Sequence, residues 1–268
     1  MTKIVLSVAG LDPSGGAGSI ADIKTIAAFG CFPAAAITSI TFQNTTGVFG
    51  VEDQTAETVR RQIEPVLQDY RVDALKTGML PSREIIEETA SQIEIGGLKN
   101  IVVDPVVRST SGFDLIDDRA LAALIEKLFP LADVITPNIP EAERISGFQI
   151  RTVGDIDAAA AKMQQLGARC VLIKGGHGHD AKSGMATDRL YISGEVRLYS
   201  ASFIETDATH GTGCTLSAAI AANLALGREM GDAVSIAKDF VHEAIRTAPH
   251  IGDGHSPINI KPAKTGDH

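Results

Sequence analysis

Short apolar runs recur along the 268-residue chain, and segments with helical periodicity separate them. Continuous apolar runs of about four to eight residues are typical of strands buried on both faces of a parallel sheet. The predicted strands are 4–8, 34–41, 74–77, 100–104, 133–136 and 170–173. The predicted helices, where apolar residues repeat at helical spacing, are 55–69, 82–93, 118–128, 155–166, 213–226 and 232–247, and Ser82 is the predicted cap of the second.

This alternation predicts an α/β fold in which a mostly parallel sheet is covered by helices on both faces. No composition break divides the chain, so we expect one domain over residues 1–262 and a frayed tail at 263–268. Two further β-like runs between Arg189 and Phe203 predict an antiparallel hairpin at one edge. Because ligands of such sheets bind beyond the carboxyl ends of the strands, a cleft is expected there.

Composition narrows the class of ligand. The net charge of −9 argues against nucleic acid and anionic membranes as general partners, which leaves small molecules. The three cysteines have no metal or redox spacing and suggest a reducing compartment. Because the sequence also contains no signal pattern and no apolar run of membrane-spanning length, we expect a cytoplasmic protein.

The first glycine loop follows the first predicted strand. Residues 16–21 fit the dinucleotide pattern G-x-G-x-x-A, which suggests a nicotinamide or flavin enzyme. Against this, residues 11–14 are inserted before the glycines, and the second strand ends without a carboxylate to hold a ribose. We interpret the loop as a turn that lets backbone approach a compact ligand, with Asp12 and Asp22 as polar contacts. The alternative is a helix-entry turn without a ligand.

The second glycine loop, residues 209–215, leads into the predicted helix 213–226. Amides at a helix start lack intrahelical partners and the helix dipole favours anions, so this loop predicts a phosphate site. Cys214 lies in the first helical turn, where the dipole predicts a lowered thiol pKa. A thiolate there would accept a hydroxyl proton. The alternative for Cys214 is a small buried helix residue.

Together these motifs resemble the hydroxymethylpyrimidine/phosphomethylpyrimidine kinases of thiamine synthesis, within the ribokinase superfamily. The matching segments cover nearly the whole chain in order: SVAGLDPSGGAGSIADIKTIAAFG from Ser7, QNT from Gln43, KTGML from Lys76, DPV from Asp104, TPNIPEA from Thr136, KGGH from Lys174, HGTGCTLSAAIA from His210 and GHSPIN from Gly254.

The resemblance implies a ribokinase-like three-layer fold and a homodimer. It also implies an enzyme that uses ATP and Mg²⁺ to phosphorylate 4-amino-5-hydroxymethyl-2-methylpyrimidine and then its monophosphate. A pyridoxal or pyridoxine kinase of the same superfamily is the nearest alternative. Gln43 favours the aminopyrimidine, because an amide offers both a donor and an acceptor.

The resemblance further assigns roles to single residues. Gln43 would bond to the pyrimidine edge, and the same pocket would be lined by Asp22, Gly10, Ala17, Met79 and Val106. The phosphates would be bound by Lys174, His210, Gly211, Thr212 and Gly213. Cys214 would accept the proton, where most of the superfamily has Asp. Without the resemblance, Met79 reads as core filler and Lys174 as a solvated lysine.

On the nucleotide side, the resemblance implies that Asn138 and Glu141 help hold Mg²⁺ through water. The alternative is a helix cap at Asn138 with Glu141 in the first turn. Asp104 would contact the metal or simply end its strand, and Lys238 would approach the adenine.

Two segments stand apart from these assignments. The segment 106–115 departs from the family pattern at Val107, at Arg108, which would bind a phosphate or face solvent, and at Phe113, where Asp is common. The cluster 177–180 (His-Gly-His-Asp) suggests a metal site, but we favour a surface loop that covers ATP.

Overall fold

The computed structural model describes residues 1–107, 115–175 and 184–261. The strands within them are β1 (Ile4–Leu11), β2 (Phe32–Asn44), β3 (Gly47–Asp53), β4 (Ala74–Thr77), β5 (Ile101–Val103), β6 (Val134–Ile135), β7 (Val171–Ile173), β8 (Met185–Ile192) and β9 (Glu195–Ser202). They form one sheet in the order β3-β2-β1-β4-β5-β6-β7-β8-β9. The strands from β2 to β7 run parallel, and antiparallel pairs close both edges.

The helices are α1 (Gly18–Ala28), α2 (Ala56–Asp69), α3 (Arg83–Ile95), α4 (Asp118–Ala123), α5 (Ile139–Ser146), α6 (Val153–Gln165), α7 (Thr212–Ala225) and α8 (Met230–Arg246). A π-helical turn (Leu124–Leu128) and a 3₁₀ turn (Phe129–Leu131) extend α4. None of the described helices is long and apolar enough to cross a membrane.

Alternating side chains of the strands enter two separate cores. In β1, Leu6 and Val8 belong to the core shared with α2 to α6, whereas Val5 belongs to the core shared with α1, α7 and α8. Neighbouring residues of a strand point to opposite faces, so a strand that is apolar throughout is buried on both. The predicted three-layer α/β arrangement is therefore confirmed.

Local signals also agree with the structure. Ser82 caps α3, since its Oγ accepts from the Ile85 amide at 3.3 Å. The predicted edge hairpin is β8 and β9. Strand β3 was not predicted from the sequence; it is an edge strand with two glycines, Gly47 and Gly50, and none of its seven residues is fully buried. The predicted tail at 263–268 lies outside the described residues.

The central helix α7 positions the site. Every residue from Thr215 to Ala225 is buried, and most are small. Small side chains let the helix axis approach the sheet closely, and α7 packs over β1, β4 and β5. Its first turn therefore lies at the carboxyl ends of these strands.

Candidate active site

A cleft of about 1420 Å³ lies beyond the carboxyl ends of the parallel strands. It is bordered by both glycine loops, by α5 and by the side of α8 that faces the β8–β9 hairpin. The predicted site residues that line it are Gly10, Ala17, Gln43, Met79, Asp104, Val106, Asn138, Glu141, Lys174, His210, Gly211, Thr212, Gly213, Cys214 and Lys238.

The prediction that Asp22 lines the pyrimidine pocket is wrong, because Asp22 is fully buried behind the cleft wall. Its carboxylate accepts from Lys76 Nζ at 2.8 and 3.0 Å and from Ser7 Oγ at 2.6 Å. Burial alone would lower the pKa of Lys76, but Asp22 and the other anionic groups raise that pKa overall. The Lys76 ammonium therefore stays charged beneath the cleft.

Lys76 had no predicted role, although the sequence contains a signal for one. Lys76 is the one charged residue in the apolar strand β4, and a buried ammonium needs a counter-charge. The sequence pattern does not identify that partner, which is 54 positions away on α1.

The wall beside the first glycine loop carries Gln43. The pairing of β2 with β3 shifts register between Phe42 and Gln43, and such irregularities re-aim a side chain. The Gln43 amide is partly buried, and it has no hydrogen-bond partner among the described residues. A methyl group at Gly10 would lie 3.2 Å from Met79 Sδ, so these residues form a tightly packed wall next to Gln43.

The start of α7 forms the opposite wall. Its first intrahelical bond runs from the Thr215 amide to the Gly211 carbonyl at 2.9 Å, so the Gly213 and Cys214 amides precede it. The Lys174 Nζ lies 3.1 Å from the position of a Cβ on Gly213. The first amides of α7, the positive end of its dipole and the Lys174 ammonium therefore lie close together. Such an arrangement favours the binding of an anion.

Lys174 is not a solvated lysine. Its side chain is 14% exposed, and Nζ lies 3.0 Å from Asp104 Oδ1 and 3.9 Å from Glu141 Oε2. Burial would lower the pKa of Lys174, but these two carboxylates raise it overall. The charged ammonium is therefore held between two carboxylates and the start of α7.

Asn138 and Glu141 form a capping box on α5. Asn138 Oδ1 accepts from the Glu141 amide at 2.9 Å, and Glu141 Oε2 accepts from the Asn138 amide at 2.8 Å. The alternative given for this pair, a helix cap at Asn138 with Glu141 in the first turn, is therefore observed. Burial raises the pKa of Glu141 to about 7, although Lys174 opposes the shift.

The carboxylates of Asp104 and Glu141 are the candidate metal ligands. Asp104 Oδ1 accepts from Thr136 Oγ1 at 3.0 Å as well as from Lys174. The described ranges contain no group of three or more His, Cys, Asp and Glu placed to hold an ion. This donor set fits Mg²⁺ bound through water and nucleotide phosphates, since magnesium keeps several waters.

The prediction of a lowered thiol pKa at Cys214 is wrong. Burial raises the pKa of this thiol to about 11; Lys76 opposes the shift, and Asp22 and Asp104 add to it. The Gly18 amide of the first loop also lowers this pKa, and its effect is the smallest of these causes. Desolvation thus outweighs the helix terminus, and Cys214 is a neutral thiol at pH 7.

Lys238 lies at the far end of the cleft. Its Nζ pairs with Asp188 Oδ2 at 2.9 Å, and Asp188 Oδ1 accepts from the Gly175 amide, also at 2.9 Å. Lys238 is thus fixed by β8 at the end predicted for adenine. Arg108 and Phe113, and the cluster 177–180, lie outside the described residues.

A three-layer α/β fold whose central helix begins at the cleft, with a lysine ammonium beside its first amides, defines a ribokinase-like kinase. The profile of the family described as phosphomethylpyrimidine kinase matches residues 12–259, and the protein belongs to this family. A relative from Rhizobium meliloti, a hydroxymethylpyrimidine/phosphomethylpyrimidine kinase, is 48% identical in an alignment of 267 positions that covers 97% of each chain.

Solved structures agree with this assignment. A phosphomethylpyrimidine kinase from Clostridium difficile 630 superposes with a TM-score of 0.80 at 43% identity, over 91% of this chain and 100% of that one. An ADP complex of Bacillus subtilis pyridoxal kinase gives 0.89 at 37% identity, over 98% of both chains. The predicted family and fold are confirmed.

Proposed function

We propose that the protein transfers the terminal phosphate of ATP to the hydroxyl of 4-amino-5-hydroxymethyl-2-methylpyrimidine and then phosphorylates the resulting monophosphate. One observation carries the proposal: the Gln43 amide, which has no hydrogen-bond partner within the described part of the chain, and the start of α7, with Lys174 beside it, face the same cleft. Relatives named for both reactions support it.

On the pyrimidine side, the Gln43 amide donates to the ring nitrogen and accepts from the amino group. Gly10, Ala17, Met79 and Val106 form the surrounding wall, which excludes water from the ring. Asp22 acts from behind this wall, since its carboxylate keeps the Lys76 ammonium in place.

On the nucleotide side, the backbone of residues 210–213 and the Lys174 ammonium neutralise the phosphates. Phosphoryl transfer needs positioning and charge neutralisation more than covalent chemistry. Asp104, Asn138 and Glu141 would hold Mg²⁺ through water, and this ion would supply further neutralisation of the phosphates. Lys238 lies at the end of the cleft that would bind the adenine ring of ATP.

In this proposal the thiolate form of Cys214 accepts the substrate proton, so the thiol must first release its own proton to solvent. With a pKa of about 11, only about one thiol in ten thousand is ionised at pH 7, and kcat should therefore rise with pH. We predict that Cys214→Ala lowers kcat by about 100-fold, which is typical for loss of a general base, while ATP still binds. Near-normal turnover with Cys214→Ala would make the cysteine structural.

The test of the function is product analysis by mass spectrometry after incubation with the pyrimidine, ATP and Mg²⁺. We expect the monophosphate first and the diphosphate later, with one ADP formed per transfer. Absence of both products would refute the proposal, and accumulation of the monophosphate alone would limit it to the first step.

Pyridoxal phosphorylation is the second candidate, because the fold superposes closely on a pyridoxal kinase. Competition between the two ring substrates at equal concentration separates the functions. We expect the aminopyrimidine to be preferred, since Gln43 matches its amino group and ring nitrogen. Faster turnover of pyridoxal would reverse the assignment.

We also propose that the enzyme is a cytoplasmic homodimer made of a single domain with a C-terminal tail at 263–268. Ile40, Phe42 and Phe49 are exposed on β2 and β3, and such apolar surface supports a contact between copies. Sedimentation analysis of the parent and of Phe49→Glu tests the dimer. A monomeric parent would refute it.

A further inference from the structure

His210 joins separate parts of the chain, and the steps proposed above do not use its side chain. Its Nε2 lies 2.7 Å from Asp12 Oδ2, a contact across 198 positions that links the two glycine loops. We propose that His210 is a positioning residue: through Asp12 it fixes the start of α7 against the loop beside the pyrimidine, and so sets the distance between hydroxyl and phosphate. This inference rests on the proposed kinase function.

Asp12 organises the first loop through several hydrogen bonds. Its carboxylate accepts from the amides of Ser14 and Ala17, both at 2.8 Å, and from Ser14 Oγ at 2.9 Å. These bonds lie within the loop, which Lys24 of α1 also supports by donating its Nζ to the Gly15 carbonyl at 2.7 Å. The bond from His210 is therefore additional, and what it fixes is the place of this loop relative to the second one.

The two loops also touch through their backbones. Gly211 has a φ of 85°, and a methyl group there would overlap the Gly16 carbonyl. A methyl group at Gly16 would in turn overlap the His210 ring. The two loops are thus in contact at these positions. We therefore expect a change in the position of the His210 ring to shift the backbone of one loop relative to the other.

The transfer point lies between these loops. The Gly18 amide, at the end of the first loop, is close enough to the sulfur of Cys214, in the first turn after the second loop, to lower the pKa of that thiol. A shift of either loop therefore changes the place where the hydroxyl meets the phosphate. Misplacement of reacting groups by about 1 Å can lower a rate about 100-fold.

The C-terminal segment 254–257 ties the same histidine to the strand that carries Gln43. The Ser256 carbonyl accepts from the His210 amide at 3.3 Å, and the His255 amide donates to the Thr45 carbonyl at 2.8 Å. Thr45 follows Gln43 by two residues. Both segments that border the pyrimidine are thus positioned from His210, one through its side chain and one through its main chain.

Two substitutions at position 210 test the proposal. His210→Gln keeps an amide donor near the position of Nε2, whereas His210→Met has similar length and no donor. We expect His210→Met to lower kcat about 100-fold while both KM values change by less than about threefold. We expect His210→Gln to stay within about fivefold of the parent, because the bond to Asp12 is restored.

Val59→Ala is the control for a general loss of stability. Val59 is fully buried in the core on the other face of the sheet. This variant should lower the melting temperature and leave kcat unchanged. A kcat that fell equally in His210→Gln and His210→Met would overturn the inference, since the donor would then not matter.

Alkylation of Cys214 by iodoacetamide, followed by mass spectrometry, reads the contact between the loops without turnover. We expect the sulfur in His210→Met to react about tenfold faster than in the parent, because separated loops admit reagent and water, and His210→Gln to match the parent. Equal rates in His210→Met and the parent would overturn the inference. A parent that fails to phosphorylate the pyrimidine refutes the function instead, and the alkylation rates still decide this point.

Discussion

The two glycine loops look alike in sequence, since each follows a strand and leads into a helix, but the structure uses them differently. In the first, Asp12 accepts from the loop's own amides and from the His210 ring of the second loop. In the second, the Gly213 and Cys214 amides precede the first intrahelical bond, and Lys174 lies beside them. A glycine pattern therefore indicates close backbone approach, and the partners of the amides decide which loop binds an anion.

The lysines behind the two loops differ in the same way. Lys76 is fully buried and bonded to Asp22 of α1, with no exposed side-chain surface. Lys174 keeps 14% of its side chain exposed, beside α7. One ammonium stabilises the wall, and the other remains available to a ligand.

Gly211→Ala should break the contact between the loops most severely. A methyl group there combines a left-handed backbone, at φ 85°, with overlap on the Gly16 carbonyl. We expect kcat to fall about 1000-fold in the protein that still folds, since both reacting groups move. Steady-state kinetics and thermal melting measure the effect.

Gly30→Ala is the matched control, because Gly30 has a φ of 76° and no atom within 4 Å of an added methyl group. It should cost about 1 kcal/mol of stability from the backbone alone and leave kcat unchanged. Equal kcat values for the two variants would show that close approach of the loops is unimportant.

Lys174→Met and Lys76→Met test the difference between the lysines. We expect Lys174→Met to lower kcat about 300-fold, since it removes the cation beside the phosphate site. Lys76→Met should instead lower the free energy of unfolding by about 3 kcal/mol or more, because Asp22 is left as an unpaired buried carboxylate. Denaturant melts and single-turnover rates separate the two. A stability loss for Lys174→Met with unchanged turnover would contradict the assignment.

The sequence pattern predicted what depends on neighbours along the chain. Strand β4 was predicted with its observed ends, and Ser82 as a cap, because apolar runs and capping residues act locally. The clustering of Gln43, Lys174 and Cys214 also followed, since parallel strands bring their carboxyl ends to one edge.

What the sequence pattern missed depends on burial and on distant partners. The pair of Lys76 with Asp22 and the link of His210 to Asp12 join residues on different elements. The sign of the pKa shift at Cys214 required knowing that the thiol is desolvated, which a helix position alone does not reveal.

The reactivity of Cys214 tests whether the start of α7 ionises this thiol. With the pKa raised from 9.0 to about 11, the thiolate fraction at pH 8 is about 100-fold below that of an unshifted thiol. Alkylation of the folded protein should therefore be slower than that of the unfolded chain by at least this factor. It should rise about tenfold per pH unit between pH 7 and 10, as the thiol begins to ionise. An alkylation rate that no longer rises above pH 7 would show that Cys214 is a thiolate at that pH.

Gln43→Ala tests whether the pyrimidine and ATP bind to separate sides of the cleft, and its expected effect is the smallest of those described. Because the amide lies on the wall of the first loop, its loss should raise the KM for the pyrimidine about tenfold, the size of one lost hydrogen-bonding group, and leave the KM for ATP unaltered. Gln62→Ala is the matched control: Gln62 bonds to the Ile37 backbone of the same strand from α2, away from the cleft. It should lower the melting temperature without affecting either KM. If Gln43→Ala raised both KM values equally, Gln43 would support the strand as Gln62 does, and the pyrimidine would need another partner.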